Sequence, residues 1–104
     1  MAAYFMFDVR EIKDAERTSQ YRNQVFATVE RFGGRYLALG GPFEVIEGDW
    51  RPGIPVIIEF PSIERARAWY ESDVYRPLLA LREEDTDSFA ILIEGFEHVP
   101  DQGR

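Results

Sequence analysis

The chain has 104 residues, of which 45% are hydrophobic and 30% charged, a composition typical of one globular domain and not of a disordered segment. Its formal net charge of −7 argues against binding to the phosphate backbone of a nucleic acid or to an anionic membrane surface. It contains no cysteine, which excludes disulfides and thiolate chemistry.

The sequence shows no pattern typical of export or membrane insertion. The first residues lack a basic region followed by a long apolar core, so we expect no signal peptide there. No apolar run approaches the roughly 20 residues of a membrane-spanning helix. Together with the absence of cysteine, these features lead us to expect a cytoplasmic protein with no membrane partner.

The first third of the chain is predicted as a strand followed by a helix. Residues 3–10 are rich in aromatic side chains and alternate between two faces, as strand residues do. Asp14 is expected to open a helix whose apolar residues recur at helical spacing. Gly33-Gly34 is expected to end this helix, with one glycine in the left-handed cap position.

The middle of the chain contains two predicted strands joined by an irregular segment. Residues 35–39 are predicted as a strand, and residues 40–42 (Gly-Gly-Pro) as a bulge or sharp bend, because proline cannot donate a ladder hydrogen bond. Extended structure is expected to resume over residues 43–47. A turn at residues 48–53 leads into the next predicted strand at residues 55–60.

The last third is predicted as two helices and a final strand. Ser62 is a good N-cap for the first of these helices, which breaks at Ser72-Asp73 before the second one. Residues 83–87 are acidic and are predicted as a solvated loop. Residues 88–95 are predicted as the last strand.

The order of these elements is β-α-β-β-α-β, which is the ferredoxin-like arrangement. We therefore predict an α+β fold with an antiparallel sheet and the helices on one of its faces. Residues 1–96 are assigned to this single domain, and residues 97–104 to a C-terminal tail.

Apolar residues occupy both faces of the predicted strands. One set of alternate residues is wholly apolar and comprises Phe5, Phe7, Val9, Tyr36, Ala38, Val56, Ile58, Phe60, Phe89, Ile91 and Ile93. The other set is largely apolar but carries charges, and it comprises Tyr4, Met6, Asp8, Arg35, Leu37, Leu39, Ile57, Glu59, Ala90, Leu92 and Glu94. The helices can cover only one face, so a second copy of the chain is the simplest cover for the other. We therefore predict a homodimer through sheet faces, a dimeric α/β barrel.

Several segments of the chain, taken together, resemble one bacterial family. They are residues 32–41, 47–52, 56–62 and 66–72 together with Tyr75, and they resemble domain-of-unknown-function family 1330 of the dimeric α/β-barrel superfamily. The resemblance runs from about residue 4 to residue 95. It implies the same fold and dimer but little about chemistry, because that family has no established activity. Its wider superfamily holds cofactor-free monooxygenases, isomerases, haem enzymes and stress-response proteins, so the fold does not determine the function.

Four charged residues belong to the second strand set and are expected to face the space between the two sheets: Arg35, Glu59, Asp8 and Glu94. They would form a small pocket with a cation and carboxylates beside an apolar wall, able to orient a small polar ligand. Glu59 is the candidate catalytic acid or base, because apolar surroundings raise the pKa of a carboxylate. The alternative is that Arg35 and Glu59 only neutralise each other, with Asp8 and Glu94 in water.

Two aromatic residues are further candidates for ligand contact. Trp50 lies on a turn and is expected either to cover a barrel mouth and stack on a ligand, or to pack on protein. Tyr21 belongs to the helix core pattern, but its hydroxyl could reach a cleft between helix and sheet. The single histidine, His98, lies in the predicted tail without converging partners, so we expect no metal site and no cofactor.

The function predicted from these residues is the binding of a small metabolite, part polar and part apolar, in a pocket lined by Arg35 and Glu59. Whether the protein turns this molecule over as a cofactor-independent enzyme is left open. The alternative is a non-catalytic dimeric binding or interaction module, in which the Trp50 turn is the recognition surface.

Overall fold

The computed structural model of the chain describes residues 1–96. Its elements are, in chain order, β1 (Ala3–Arg10), α1 (Ala15–Arg31), β2 (Arg35–Leu39), β3 (Ile54–Phe60), α2 (Ile63–Tyr70), α3 (Arg76–Asp85) and β4 (Asp87–Glu94). The predicted tail, with His98, lies outside the described residues. Within residues 1–96, none of the helices has the length and apolar character that a bilayer-spanning helix requires.

The four strands form one antiparallel sheet in the order β2-β3-β1-β4. This topology and the β-α-β-β-α-β order confirm the predicted ferredoxin-like α+β fold. One face, which we call the covered face, packs against all three helices and includes Phe5, Phe7, Val56, Ile58 and Phe60. Within residues 1–96 no helix packs on the opposite face, which we call the open face: Tyr4, Met6, Ile57, Glu59, Phe89, Ile91 and Ile93.

Helix α1 begins and ends where its sequence signals predict. The Asp14 side chain accepts hydrogen bonds from the backbone N–H groups of Glu16 and Arg17, which satisfies two donors that the helix cannot satisfy itself. Gly33 follows the helix with φ of 81°, a conformation that side chains with a Cβ disfavour. A Cβ added to Gly34 would lie only 2.6 Å from the Phe60 ring, so the chain can turn into β2 only because this residue is glycine.

Trp69 of α2 is the centre of the core beneath the helices. Its side chain is fully buried, and its ring centroid lies 4.1 Å from that of Tyr75 and 5.3 Å from that of Phe5. Its indole N–H donates to Thr28 Oγ1 over 3.0 Å, so the one polar atom of the ring is also satisfied. Trp69 therefore joins α1, α2 and β1 in one packed unit.

The predicted face of β4 is wrong. Leu92 pairs with Phe5 and Ala90 with Phe7, whereas Ile91 pairs with Met6 on the open face. Both alternate sets of β4 are largely apolar, so the pattern within the strand does not show which set faces the helices. Only the pairing of β4 with β1 settles this, and it places Phe89, Ile91 and Ile93 on the open face.

The pairing of β2 with β3 contains an irregularity that the sequence did not indicate. Tyr36 pairs with Ile58, but the register then shifts, and Leu39 pairs with Val56. Leu39 consequently lies on the covered side, not with the charged set. The bend predicted at residues 40–42 is present at Gly40, which has φ of 64°. Residues 43–47, predicted as extended, are not part of the sheet.

The predicted acidic loop at residues 83–87 is also wrong. Helix α3 continues through Asp85, and β4 begins at Asp87. Thr86 alone links the two elements, and both its backbone N–H and its hydroxyl donate to the Arg82 carbonyl. These bonds complete the last helical turn, so Glu83, Glu84 and Asp85 lie on a helix and Asp87 on a strand, and none of them on a loop.

Candidate functional site

A cavity of about 60 Å³ lies between α1, α3 and the covered face of the sheet. Its walls are mainly apolar and include Phe7, Val25, Tyr36, Ile58, Trp69 and Leu81. A volume of this size holds roughly four water molecules, since one water needs about 10–15 Å³. At its rim lie Ile12 and Leu39, each 37% exposed, so the cavity is close to solvent there.

The polar residues of the lining come mainly from the two helices that face each other over the cavity. Thr18 and Tyr21 belong to α1, and Arg82 and Asp85 to α3. Arg82 and Asp85 are three residues apart, a spacing that places both on one side of the helix. Arg82 is 8% exposed and Asp85 is 4% exposed, so two charged residues are buried at this end of the cavity, whereas Arg22 of α1, which also lines it, is exposed.

Three polar atoms in this group have no hydrogen-bond partner within residues 1–96: Thr18 Oγ1, Arg82 Nε and Asp85 Oδ2. The other oxygen of Asp85 lies 3.2 Å from a guanidinium nitrogen of Arg17. Arg82 has no such carboxylate within 4.0 Å among the described residues; its guanidinium lies over the Phe7 ring, 5.2 Å from the centroid. Native proteins satisfy most buried polar atoms, so three unsatisfied atoms around one cavity make it a candidate site for ordered water or for a ligand.

A pair of tyrosine hydroxyls lies beside these charges. The hydroxyl oxygens of Tyr21 and Tyr75 are 3.1 Å apart, and Tyr75 is fully buried. Burial, together with the neighbouring Tyr75, raises the pKa of the Tyr21 phenol far above its usual range. Tyr21 is therefore a neutral hydrogen-bonding group at physiological pH and not a base. One of the two hydroxyl protons joins the pair, and of the two tyrosines only Tyr21 lines the cavity.

The predicted pair of Arg35 and Glu59 lies elsewhere, outside the cavity. Arg35 Nε donates to Glu59 Oε1 over 2.7 Å, and the Tyr4 hydroxyl donates to Glu59 Oε2 over 3.3 Å. The Arg35 side chain is 72% exposed and the Glu59 side chain 22% exposed. The pocket predicted around this pair would need a second subunit over the open face, and it stays a prediction.

The structure brings together two other predicted site residues, Asp8 and Trp50. Asp8 accepts hydrogen bonds from the Trp50 indole N–H over 2.9 Å, from the Gly53 backbone over 2.8 Å and from Arg10 Nε over 2.8 Å. Burial by itself would raise the pKa of Asp8, but these three bonds outweigh it and hold the pKa below its ordinary value of 3.8. Asp8 thus ties the turn at residues 48–53 to β1, while 57% of Trp50 stays exposed.

The remaining two predicted residues lie on the opposite side of the sheet from Glu59. Glu94 pairs with Ala3, whose side chain is buried beneath the helices, so the prediction that Glu94 shares a face with Glu59 and Asp8 is wrong. The cause is the face of β4 described above. Tyr21 lines the cavity between the helices and the sheet, which is the cleft that its hydroxyl was predicted to reach.

Sequence reasoning did not identify Thr18, Arg82 and Asp85 as site residues. One signal was available for Arg82: it follows Leu78 by four residues, and Leu78 belongs to the buried core. A charged residue on the buried stripe of a helix is uncommon and marks a candidate site. Asp85 was not considered as a site residue because residues 83–87 were predicted as a solvated loop. Within residues 1–96, no group of three or more His, Asp or Glu side chains is placed to hold a metal ion.

Comparisons with known proteins extend over almost the whole domain. The model of a family described as domain of unknown function, DUF1330, matches residues 2–96. No curated protein matches the chain by sequence.

Solved structures of similar fold include RPA0582, a protein of unknown function from Rhodopseudomonas palustris. It is 20% identical to this chain with a TM-score of 0.72, covering 93% of this chain and 84% of RPA0582. A conserved protein from Methanosarcina mazei Go1 is 14% identical with a TM-score of 0.50, covering 88% of this chain and 91% of that one.

SnoaB, a cofactor-independent oxygenase from Streptomyces nogalater, is also similar in fold. It is 14% identical to this chain with a TM-score of 0.50, and the alignment covers 96% of each chain. At these identities the similarity concerns the fold alone.

Proposed function

The chain belongs to the DUF1330 family, and we propose that it binds a small metabolite with an apolar body in the cavity between α1, α3 and the sheet. The observation that supports this proposal is the group of unsatisfied polar atoms on Thr18, Arg82 and Asp85. A buried polar group without a partner costs about 1–3 kcal/mol, and more if it is charged. A ligand that supplies the missing partners would remove this cost, which is a driving force for binding.

The cavity can be tested with a small neutral probe, 3-methyl-1-butanol, whose hydrocarbon body matches the apolar walls. We expect it to change the amide chemical shifts of Val25, Ile58 and Leu81, which line the cavity from α1, β3 and α3 respectively. The substitution Leu39→Trp would fill the rim and abolish these changes. Leu37→Trp is the matched control, because Leu37 is on the same strand, is 49% exposed and does not line the cavity.

Two outcomes of this experiment would contradict a binding cavity at this place. One is that the alcohol changes the shifts of open-face residues such as Met6 and Ile91 and leaves those of Val25 and Ile58 unaltered. The other is that Leu39→Trp and Leu37→Trp bind the alcohol equally well.

We also propose that two chains associate through their open faces. Met6 lies between Ile57 on one neighbouring strand and Ile91 on the other, so apolar side chains run across three strands. Phe89 is 60% exposed and Ile91 57% exposed. Monomeric soluble proteins rarely expose contiguous apolar patches of more than a few hundred Å². A second copy related by a two-fold axis would cover this patch with an identical one.

Light scattering tests the assembly. We expect a mass of twice the 12.1 kDa of one chain, and a fall to 12.1 kDa in Ile91→Glu, because the interface would then bury two unpaired carboxylates. Ile46→Glu is the control: Ile46 is 80% exposed but lies between β2 and β3, outside the sheet. A wild-type mass of 12.1 kDa would contradict the dimer, and dissociation by Ile46→Glu alone would place the interface on the loop.

The ion pair of Arg35 and Glu59 remains a candidate second ligand site within such a dimer. The 2.7 Å contact and the bond from Tyr4 use part of the Glu59 carboxylate, and the remaining acceptor positions face the open side. If this is the main site, Glu59→Gln abolishes ligand binding and leaves the dimer intact. If the cavity is the main site, Glu59→Gln binds normally and substitutions at Arg82 do not.

A non-catalytic interaction module is the second candidate function. It is favoured by the exposure of apolar residues between β2 and β3, namely Phe43 at 50%, Ile46 at 80% and Trp50 at 57%. Asp8 holds the base of this segment through Trp50, so the segment is anchored to the sheet at that end. Under this alternative, Phe43→Ser would abolish partner binding and leave small-molecule binding to the cavity unaltered.

Chemical turnover is supported less directly than binding. SnoaB is a cofactor-independent oxygenase, and the cavity described here could by the same logic hold a substrate away from bulk water. Of the groups that face the cavity, Tyr21 is held neutral by burial, and it would serve as a hydrogen-bond donor to a developing oxyanion. Tyr21→Phe would then lower kcat with little change in KM, whereas for a binding protein it would alter affinity alone.

A further inference from the structure

The charge at the polar end of the cavity carries information about the ligand itself. Arg82 is 8% exposed, and its Nε has no hydrogen-bond partner within residues 1–96. Its guanidinium packs on the Phe7 ring and not against a carboxylate. A guanidinium stays protonated in a protein, so this positive charge persists when it is buried. Asp85 lies three residues further along the same helix, but its carboxylate makes no contact with Arg82 within 4.0 Å, so an anionic acceptor in the cavity would give the guanidinium the close partner that it lacks.

Asp85 supplies a different requirement at the same end. Its Oδ1 is engaged by Arg17, and its Oδ2 has no hydrogen-bond partner among the described residues. The side chain is 6% exposed, so solvent does not satisfy this oxygen well. A carboxylate oxygen accepts hydrogen bonds and cannot donate them when ionised. The ligand group beside Asp85 must therefore be a donor, whereas the group beside Arg82 must be an acceptor.

The size of the cavity limits the rest of the molecule. About 60 Å³ accommodates roughly four atoms of the size of a water oxygen, and further atoms would have to pass the rim between Ile12 and Leu39. The walls beyond the polar end are apolar, with Val25 and Ile58 among them. The remainder of the ligand is therefore a short hydrocarbon chain.

We infer that the ligand is a small hydroxycarboxylate with a short hydrocarbon body, an inference that rests on the proposed function of the cavity. The carboxylate accepts a hydrogen bond from Arg82 Nε, and the hydroxyl donates to Asp85 Oδ2. Thr18 Oγ1, the third unsatisfied atom, can donate to or accept from either group. The carboxylate and hydroxyl account for about four non-hydrogen atoms, so the hydrocarbon body extends along the apolar walls to the rim between Ile12 and Leu39.

The inference can be tested with three probes of nearly the same shape: 2-hydroxyisovalerate, isovalerate and 3-methyl-1-butanol. Binding of each to the wild-type chain is followed by the amide shifts of residues that line the cavity. We expect the hydroxy acid to bind most tightly. Loss of the hydroxyl should weaken binding roughly 2- to 10-fold, and loss of the carboxylate should weaken it by a further factor of roughly 10 to 100.

Arg82→Met provides the matching change in the protein, because methionine keeps much of the length and removes the charge. We expect the acids to lose their advantage, so that isovalerate and the alcohol bind equally. The free energy of unfolding of the unliganded variant should not fall, since an unpaired buried charge has been removed. Arg76→Met is the control on the same helix; Arg76 is exposed, and the preference for acids should persist.

The outcomes separate this inference from the function on which it rests. If the alcohol binds the wild-type cavity as tightly as isovalerate does, the cavity is a binding site but the inferred carboxylate is wrong. If isovalerate binds as tightly as 2-hydroxyisovalerate, the donor beside Asp85 is wrong. If none of the three probes changes the shifts of lining residues, both the inference and the proposed function are overturned. These wild-type results stand even if Arg82→Met does not fold.

Discussion

Both faces of the sheet carry large apolar side chains, but the faces differ in what covers them. On the covered face, Ile58 is 2% exposed and Phe60 is fully buried. On the open face, Ile91 is 57% exposed and Phe89 60% exposed. The same residue types therefore stabilise the separate chain on one side and give it an unfavourable surface on the other. Hydrophobic stabilisation follows the area removed from water and not the residue type.

The largest effect is expected on the covered face. Ile58→Ala should lower the free energy of unfolding by about 2–5 kcal/mol, because it removes buried methyl groups and enlarges the neighbouring cavity. Urea denaturation of the two proteins measures the difference. A loss below about 1 kcal/mol would mean that the covered face is less well packed than the structure shows.

A smaller effect is expected where Asp8 ties the loop to the sheet. Asp8→Asn should lower the free energy of unfolding by about 1–3 kcal/mol at neutral pH, since one charged acceptor of three hydrogen bonds is lost. The folded-state pKa of Asp8 lies below the ordinary value of 3.8, so the stability from its carboxylate is present above pH 3.8 and is lost as the pH falls through the folded-state pKa.

The pH dependence of unfolding distinguishes this effect from a loss of packing. The difference between wild type and Asp8→Asn should be constant above pH 3.8 and should shrink below it. Asp87 is an exposed aspartate at the start of β4, and Asp87→Asn is the control. This variant should show the same pH dependence of the free energy of unfolding as the wild type. A difference between wild type and Asp8→Asn that persists unchanged at low pH would mean that the charge of Asp8 contributes nothing.

The ion pair on the open face should have a weak effect in the separate chain. Arg35→Gln is expected to lower the free energy of unfolding by about 0.2–1 kcal/mol, because exposed ion pairs contribute little. In the dimer the same pair would be shielded from water. Measuring the substitution in wild type and in the Ile91→Glu background compares the two situations. Equal effects in both backgrounds would argue that the second subunit does not cover Arg35.

The smallest effect on the separate chain is expected at Ile91. Ile91→Ala should change its free energy of unfolding by no more than about 0.5 kcal/mol, since the side chain is 57% exposed. In an assembled dimer, however, the substitution should lower the unfolding midpoint in a concentration-dependent manner. If the unfolding midpoints of wild type and Ile91→Ala are both independent of protein concentration, association through the open face is contradicted.

The order of the elements could be predicted because it depends on local patterns. The aromatic alternation of residues 3–10, the cap at Asp14 and the glycines at Gly33-Gly34 each act within a few residues, and each is found at its predicted place. The face of β4 could not be predicted in this way. Both of its alternate sets are apolar, and only the long-range pairing with β1 chooses between them.

The candidate site was less accessible to sequence reasoning than the fold. The sequence predicted a pocket lined by charged residues of the strands. In the structure, Arg35 binds Glu59, and Asp8 binds the Trp50 turn. Arg82 and Asp85 lie on a helix whose end was predicted as a solvated loop. Their importance depends on what they lack, namely hydrogen-bond partners within the described residues, and a sequence does not display that property.

The single-residue link at Thr86 joins the two surfaces that we propose bind other molecules. On one side of it are Arg82 and Asp85, and on the other is β4, which carries Ile91. Because one residue separates α3 from β4, we expect a displacement of the last turn of α3 by a ligand to reach the edge strand of the sheet. We therefore expect ligand and subunit association to influence each other, and thermodynamic reciprocity requires the same factor in both directions. Dimer dissociation constants that are identical with and without saturating 2-hydroxyisovalerate would show that the two surfaces are independent.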